Sequence, residues 1–367
     1  VVGIVVFGAT GYTGRLTVAA LVAAGEQPTL AGRDGARLDA LAAEFPGTRT
    51  AVADAGSPAS VHKVLQPGDV IVSTVGPFVR YGEAAVSAAV DAGAHYVDST
   101  GEAPFIRRVF QEYGPRAESG GVALLTAMGY DYVPGNLAAA LAVRDGGPAT
   151  RRVEVGYFLT GDLRSGMSSG TRASVVAGLA LAHHAYREGR LVSEPGARRV
   201  HTFTDRARRR SGFSVGGSEQ LALPSQYPQL REVNVYLGWL GSASRAAQVM
   251  SYVQPVMTAL PGVRSSMDRR AARAMRVTGT GPDAATRGRS GSLVIAEAFD
   301  ESGQRLAQVR LAGLNAYDLT ASFLAWAAVR LAAGEVTATG ALGPVSAFGL
   351  DQLEAAAAAA GLSRQDG

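Results

Sequence analysis

The stretch that most constrains this chain is Val1-Val2-Gly3-Ile4-Val5-Val6-Phe7, followed at once by Gly8-Ala9-Thr10-Gly11-Tyr12-Thr13-Gly14. The apolar, β-branched run has the composition of a strand buried on both faces of a parallel sheet. Residues 15–24 then read as a helix, with Gly25 at its C-terminal cap. Glycines in the turn between such a strand and such a helix let backbone N–H groups approach a pyrophosphate. The helix N-terminus adds a field that favours its negative charge. Residue 9 is Ala, so the spacing is G-x-x-G-x-x-G and not the strict G-x-G-x-x-G. A tight turn with no ligand is the rival reading. The complete strand–turn–helix context favours a dinucleotide held by Gly8, Thr10, Gly11, Tyr12, Thr13 and Gly14.

Cofactor choice is expected at the end of the second strand, Pro28-Thr29-Leu30-Ala31-Gly32-Arg33-Asp34. An NAD site places an acid there for the ribose 2′-hydroxyl, whereas Arg33 can hold a 2′-phosphate bidentately. Asp34 is open to two roles, reading a free ribose or capping the helix that follows. The expected cofactor is NADP(H). Further strands are read at 48–54, 69–75, 94–98 and 122–126, alternating with helices at 36–44, 58–65, 83–92 and 103–119. Ligands lie beyond the carboxyl ends of such strands. Asp54 is therefore expected near the adenine, and Gly76, Pro77 and Phe78 near the nicotinamide.

The pattern then changes. Residues 152–160, 200–204, 231–240, 292–299 and 305–313 read as longer strands, with a hairpin signal at Asp300-Glu301-Ser302-Gly303. Helices are read at 171–188 and 244–260, and again at 319–333 and 350–360. The expected fold is α/β: a Rossmann-like doubly wound parallel sheet plus a second α+β domain with a mostly antiparallel sheet. Residues 1–130 would form the NADP-binding domain, completed by C-terminal helices within 316–367. Residues 131–315 would serve substrate and oligomerisation, an exposed sheet face there suiting a homodimer.

Composition removes several chemistries. The chain has 367 residues and no cysteine, so a disulfide, a thiolate metal site and a cysteine nucleophile are all excluded. Lys63 is the single lysine, and residue 59 is Ala, so a Tyr-x-x-x-Lys pair is absent. Arg206-Ala207-Arg208-Arg209-Arg210 reads as a solvated loop or as a landing site for an acidic partner. No interleaved aromatic motif points to nucleic acid. Neither a cleavable leader nor a membrane span is read, and a cytoplasmic enzyme is the expectation. His183-His184 with Glu188, placed on a helix, have no second cluster to complete a metal site.

Ser73-Thr74-Val75-Gly76-Pro77-Phe78, Tyr81-Gly82, Ala94-His95-Tyr96-Val97-Asp98 and Thr100-Gly101-Glu102 resemble the saccharopine dehydrogenase-like oxidoreductases, including their bacterial trans-acting enoyl reductases. The glycine turn and Ala31-Gly32-Arg33 fit the same pattern. That family often carries Gly-Phe-Asp-Ser-x-Pro after the sixth strand. Here the segment is Gly129-Tyr130-Asp131-Tyr132-Val133-Pro134, with Tyr132 in place of the small residue. The resemblance implies reduction of an activated C=C bond in a biosynthetic intermediate, delivered free or on a carrier protein, or else of a C=N bond.

Hydride transfer needs a positioned proton source. Tyr130 or Tyr132 is the expected donor, with Asp131 orienting it, where a cleft to the second domain would form. The rival reading makes Asp131 a helix cap and the tyrosines packing residues. Tyr81, Arg164, Ser169 and Arg172 are the expected substrate contacts, the last two at the start of a helix. A non-catalytic NADPH sensor, similar to the NmrA-like regulators, is the reading from another class.

Overall fold

The computed structural model describes residues 2–161, 182–239, 241, 244–258 and 281–365, with the backbone alone for 253–258. The described chain divides into two compact units, Val1–Leu137 with Ala316–Leu362, and Ala138–Asn315 with Ser363–Gly367.

In the first unit, β1 (Ile4–Phe7), β2 (Thr29–Gly32), β3 (Arg49–Val52), β4 (Val70–Ser73), β5 (His95–Asp98) and β6 (Ala123–Leu125) pair in parallel, in the order β6-β5-β4-β1-β2-β3. Between them run α1 (Tyr12–Ala23), α2 (Gly35–Glu44), α3 (Pro58–His62), α4 (Phe78–Ala92), α5 (Ala103–Arg108) and α6 (Gly114–Ser119), and α7 (Val133–Gly146) follows. Alternate strand residues pack to opposite sides. Val5, Phe7, Ile71, Tyr96 and Leu124 meet Phe78, Ala85, Ala89 and Phe105 in one cluster. Ile4, Val6, Val70 and Val72 are buried as well, so β1 and β4 are covered on both faces. That is why these strands read as continuous apolar runs and not as alternating ones.

The second unit holds β7 (Arg152–Gly161), β8 (Ala182–Arg187), β9 (Arg190–Pro195), β10 (Val200–Asp205), β11 (Arg208–Val215), β12 (Glu232–Leu237), β13 (Ser290–Phe299) and β14 (Arg305–Gly313). Helices α8 (Glu219–Gln226), α9 (Ser244–Thr258) and α10 (Ala284–Arg287) accompany them. The strand order is β10-β11-β12-β7-β13-β14, antiparallel throughout except for the parallel pair β7–β12. The sheet curls, because His201 on edge strand β10 reaches Glu297 on β13 at 3.0 Å. Gln308 on β14 likewise donates to the Thr204 carbonyl at 3.0 Å.

Two expectations are corrected here. Residues 182–187 are strand β8, not the end of a helix, and they turn into β9 through Glu188 and Gly189, at φ 49° and 77°. Two left-handed residues in succession suit a tight hairpin. Tertiary bonds also hold the strand: His183 Nδ1 accepts from the Gly216 amide, and His184 Nε2 lies 2.9 Å from the Gly217 carbonyl. The basic run is likewise no loop. Arg206 (φ 54°) and Ala207 turn a hairpin, and Arg208–Arg210 belong to β11. Arg210 is held by buried Asp205 at 2.7 Å.

After Asn315 the chain returns to the first unit. Helix α11 (Ala316–Ala332) packs on α1, β4 and β5, and β15 (Gly340–Ala341) joins β6 in parallel as the seventh strand. Short α12 (Pro344–Phe348) and α13 (Leu350–Ala359) follow, and β16 (Leu362–Arg364) closes the described chain beside β14.

Candidate active site

Because β1 to β6 are parallel, the turns that leave them gather along one edge of the sheet. The first is the glycine turn. Gly8 has φ 89°, and a methyl group on Gly14 would stand 2.2 Å from the Gly8 carbonyl oxygen. Only a bare α-carbon lets α1 start this close to the turn. Thr74 Oγ1 bonds the carbonyls of Phe7 and Gly8, at 3.2 Å each, and so holds the turn from β4. The N-cap residue of α1 is Gly11, which has no side chain to bond the first N–H groups of the helix. A pyrophosphate suits this cradle, since the helix end brings N–H donors. Within it, Tyr12 is packed edge-on against Tyr317 of α11, with ring centroids 5.0 Å apart. Its ring therefore belongs to the helix contact.

Arg33 follows β2 and is exposed. Asp34 takes the capping role, accepting the Arg37 amide at 3.1 Å. The Arg37 side chain reaches back to the Thr10 carbonyl at 3.2 Å. Two guanidinium groups thus flank the place where a 2′-phosphate is expected. Asp54 lies past β3, with Oδ1 on the Gly56 amide at 2.9 Å. Its carboxylate is used in its own turn.

Beyond β4 and β5 the sheet edge is organised by an acid whose role the sequence did not reveal. Glu102 Oε1 accepts the Phe78 amide and Oε2 the Val79 amide, both at 2.8 Å. A carboxylate from the end of β5 therefore caps α4, whose own N-cap residue, Pro77, has no side-chain acceptor. Glu102 is fixed in turn, because its amide donates to Thr100 Oγ1 at 3.0 Å. The Thr100 amide donates to Asp98 Oδ1 at 2.8 Å. Buried Asp98 also accepts from the Ala127 amide and from Thr126 Oγ1, at 2.9 and 2.7 Å. Burial lifts its carboxyl to about 6, and those hydrogen bonds limit the rise.

The same bonds from Ala127 and Thr126 set the path after β6, which carries Tyr130, Asp131 and Tyr132. The Tyr130 amide donates to Thr320 Oγ1 on α11 at 3.0 Å, and only 2% of the residue is exposed. Burial, and then the neighbouring Asp131, push its hydroxyl well above the usual tyrosine range. Tyr132 sits with its hydroxyl 3.5 Å from the Gly101 carbonyl, at the outer limit of a bond. Asp131 does not cap α7. It is half-buried as a residue, but Oδ1 is shut off from solvent and has no hydrogen-bond partner. Oδ2 would stand 3.2 Å from a methyl group on Gly101, so glycine there leaves room for the carboxyl. Burial pushes Asp131 up to about 7. A carboxyl that titrates near 7 can both hold and release a proton at neutral pH.

Tyr81 is half-buried on α4, with the Arg80 guanidinium 4.9 Å from its ring. Arg164, Ser169 and Arg172 lie outside the described residues. His95 is structural: Nδ1 accepts the Ala123 amide at 3.0 Å, and burial lowers its affinity for a proton. In the second unit, His183, His184, Glu194 and Arg199 line a crevice too narrow for a ligand. Among the described residues no group of three or more His, Asp or Glu is arranged to hold a metal ion. Nor, among them, is any helix long and apolar enough to cross a membrane.

Known proteins place this architecture. A family model described as the saccharopine dehydrogenase NADP binding domain matches residues 4–125. A Mycobacterium tuberculosis (H37Rv) protein named as a candidate trans-acting enoyl reductase is 30% identical over 407 aligned positions, covering 99% of this chain and 96% of that protein. A trans-acting enoyl reductase of Mycobacterium ulcerans is 38% identical over 143 residues, 36% of this chain and 34% of that protein. Among solved structures, apo saccharopine dehydrogenase (L-Glu forming) from Saccharomyces cerevisiae covers 100% of this chain and 99% of its own, at a TM-score of 0.61 and 13% identity. That likeness is one of fold.

Proposed function

Because the chain belongs to the saccharopine dehydrogenase-like family of NADP-dependent oxidoreductases, we propose that it reduces an activated C=C bond, that of an enoyl thioester brought by an acidic carrier protein. Residues 4–125 carry the NADP(H) site. The observation that carries the C=C reading is the likeness to the M. tuberculosis relative, which runs through 99% of this chain. It therefore includes the second unit, where a substrate choice would be written, and that relative is named for enoyl reduction.

The chain's own groups divide the work as follows. The glycine turn and α1 hold the pyrophosphate, Arg33 and Arg37 the 2′-phosphate, and the Gly76–Phe78 turn borders the nicotinamide. When bound, NADPH would supply the hydride for the enoyl β-carbon. Asp131 starts protonated, gives its proton to the α-carbon and recovers one from solvent, so C=C becomes CH–CH. This reverses the roles expected of Asp131 and the tyrosines: Tyr130, held neutral by burial, packs beside the acid, and Tyr132 braces the Gly101 turn. In the second unit, exposed Arg206, Arg208 and Arg209 offer an acidic carrier a cationic hairpin, while Arg210 stays with Asp205.

The test is NADPH oxidation against enoyl-pantetheine and enoyl-CoA thioesters, beside mixtures of amino acids with oxo acids. Turnover of the thioesters is expected. Turnover of the mixtures alone would replace this reading with imine reduction.

A further inference from the structure

Glu102 has no place in the chemistry above, yet it joins three strand ends. It follows β5, its carboxylate is bonded to the turn after β4, and Gly101 beside it touches Asp131 from the segment after β6. It also occupies the N-cap position of α5, where its carbonyl accepts the amides of Phe105 and Ile106 at 2.9 and 3.1 Å. With its own amide on Thr100, its backbone is fixed on both sides. The side chain is thus delivered to Phe78 and Val79 already oriented. A helix start with two N–H groups converging on one carboxylate has the form these ends take around a bound anion. Here the chain provides the anion itself.

We propose that Glu102 is a positioning residue that acts as a built-in anion at the start of α4. Its carboxylate holds the Gly76–Phe78 turn in the shape that seats the nicotinamide, and it bars that helix end to a carboxylate or phosphate of the substrate. The acceptor reduced here is accordingly uncharged near the reacting bond, as an enoyl thioester is and an amino-acid imine is not. This deepens the reductase reading and rests on the nicotinamide lying at the β4 turn.

The experiment uses the full chain carrying Glu102→Ala or Glu102→Gln and three readouts. These are nicotinamide fluorescence of bound NADPH, the thermal midpoint in sodium formate against sodium chloride of equal ionic strength, and thioester turnover. For Glu102→Ala, NADPH should still bind through the glycine turn, but its emission should move towards that of free NADPH. Formate should restore the bound emission and raise the midpoint of this variant, and leave the wild type unchanged. Turnover should fall about tenfold to a hundredfold, the size of one or two charge-assisted hydrogen bonds, and recover in formate. Glu102→Gln keeps an acceptor without the charge, so it should show a smaller loss and no response to formate.

Wild-type emission in either variant would overturn the proposal, as would indifference of Glu102→Ala to formate. If Glu102→Ala does not fold, the emission of Glu102→Gln decides. A wild type that reduces no thioester would sink the enoyl reading alone, because emission and formate response do not depend on turnover.

Discussion

Helices α1 and α4 begin at the same edge of the same sheet, after neighbouring strands β1 and β4, and they solve the same electrostatic problem differently. Each presents unsatisfied N–H groups and the positive end of a helix dipole. At α1 the N-cap residue is Gly11, which has no side chain to answer them, and the glycine at 14 leaves no side-chain atom against the turn. At α4 the answer is internal, a glutamate 24 residues further along the chain. An identical backbone motif is therefore a ligand site or a structural joint, depending on whether an acid elsewhere in the fold can reach it. What separates the two ends is not the helix but the turn after the next strand.

The difference can be broken most severely at α1. Gly14→Ala drives a methyl group into the Gly8 carbonyl oxygen, 2.2 Å away, and closes the open end. NADPH affinity measured by fluorescence titration should drop by at least about a hundredfold, as a misplaced helix start forfeits several charge-assisted bonds. Asp131→Asn, next to the filled end, should lower kcat/KM by about 10²–10⁴, the range for loss of a general acid, with NADPH affinity retained. The wild-type rate should itself decline as pH rises through about 7, where Asp131 loses its proton.

The same group sets a stability signature. Its folded-state pKa lies above the unfolded value of roughly 4, so the folded protein binds the extra proton between those limits. The stability this group contributes therefore falls as pH rises from about 4 to about 7, and Asp131→Asn should remove that part of the slope in thermal melts followed across this window. Arg33→Ala leaves both helix ends intact and should cut the NADPH-over-NADH preference by about tenfold or more, read from paired titrations. Thr74→Val, which frees the glycine turn from β4, is the mildest change. It should cost about 1 kcal/mol in urea unfolding and weaken NADPH only a few-fold.

The open end could be read from the sequence because everything it needs is consecutive: strand, turn and helix within residues 4–23. The filled end could not. Thr100-Gly101-Glu102 stood out as a family pattern, but its use depends on strand β5 lying beside β4, a tertiary fact. Arg37 and Thr74 escaped for the same reason, each acting on a turn far from it in sequence. The strand at 182–187 was misread because alanines at 182 and 185 favour a helix locally, while pairing with β9 and the backbone bonds to His183 and His184 decide otherwise. Glu188-Gly189 was the available sign of a hairpin. The basic run offers only charge as a sequence signal, and its place in β11 depends on pairing with β10. Asp34 and Asp131 each admitted two roles on paper. Contacts show Asp34 as a cap, whereas Asp131 makes no cap bond and its Oδ1 has no hydrogen-bond partner.

The return of α11 and β15 to the first unit has a consequence for synthesis. The nucleotide-binding half is split across the gene, with all of Ala138–Asn315 translated between its two parts. At roughly 5–20 residues per second that interval lasts about 10–40 seconds. During it the emerging first part lacks the helix that covers α1 and the strand that joins β6. The nascent chain must keep a half-covered parallel sheet from aggregating, and no amount of cofactor can finish it early.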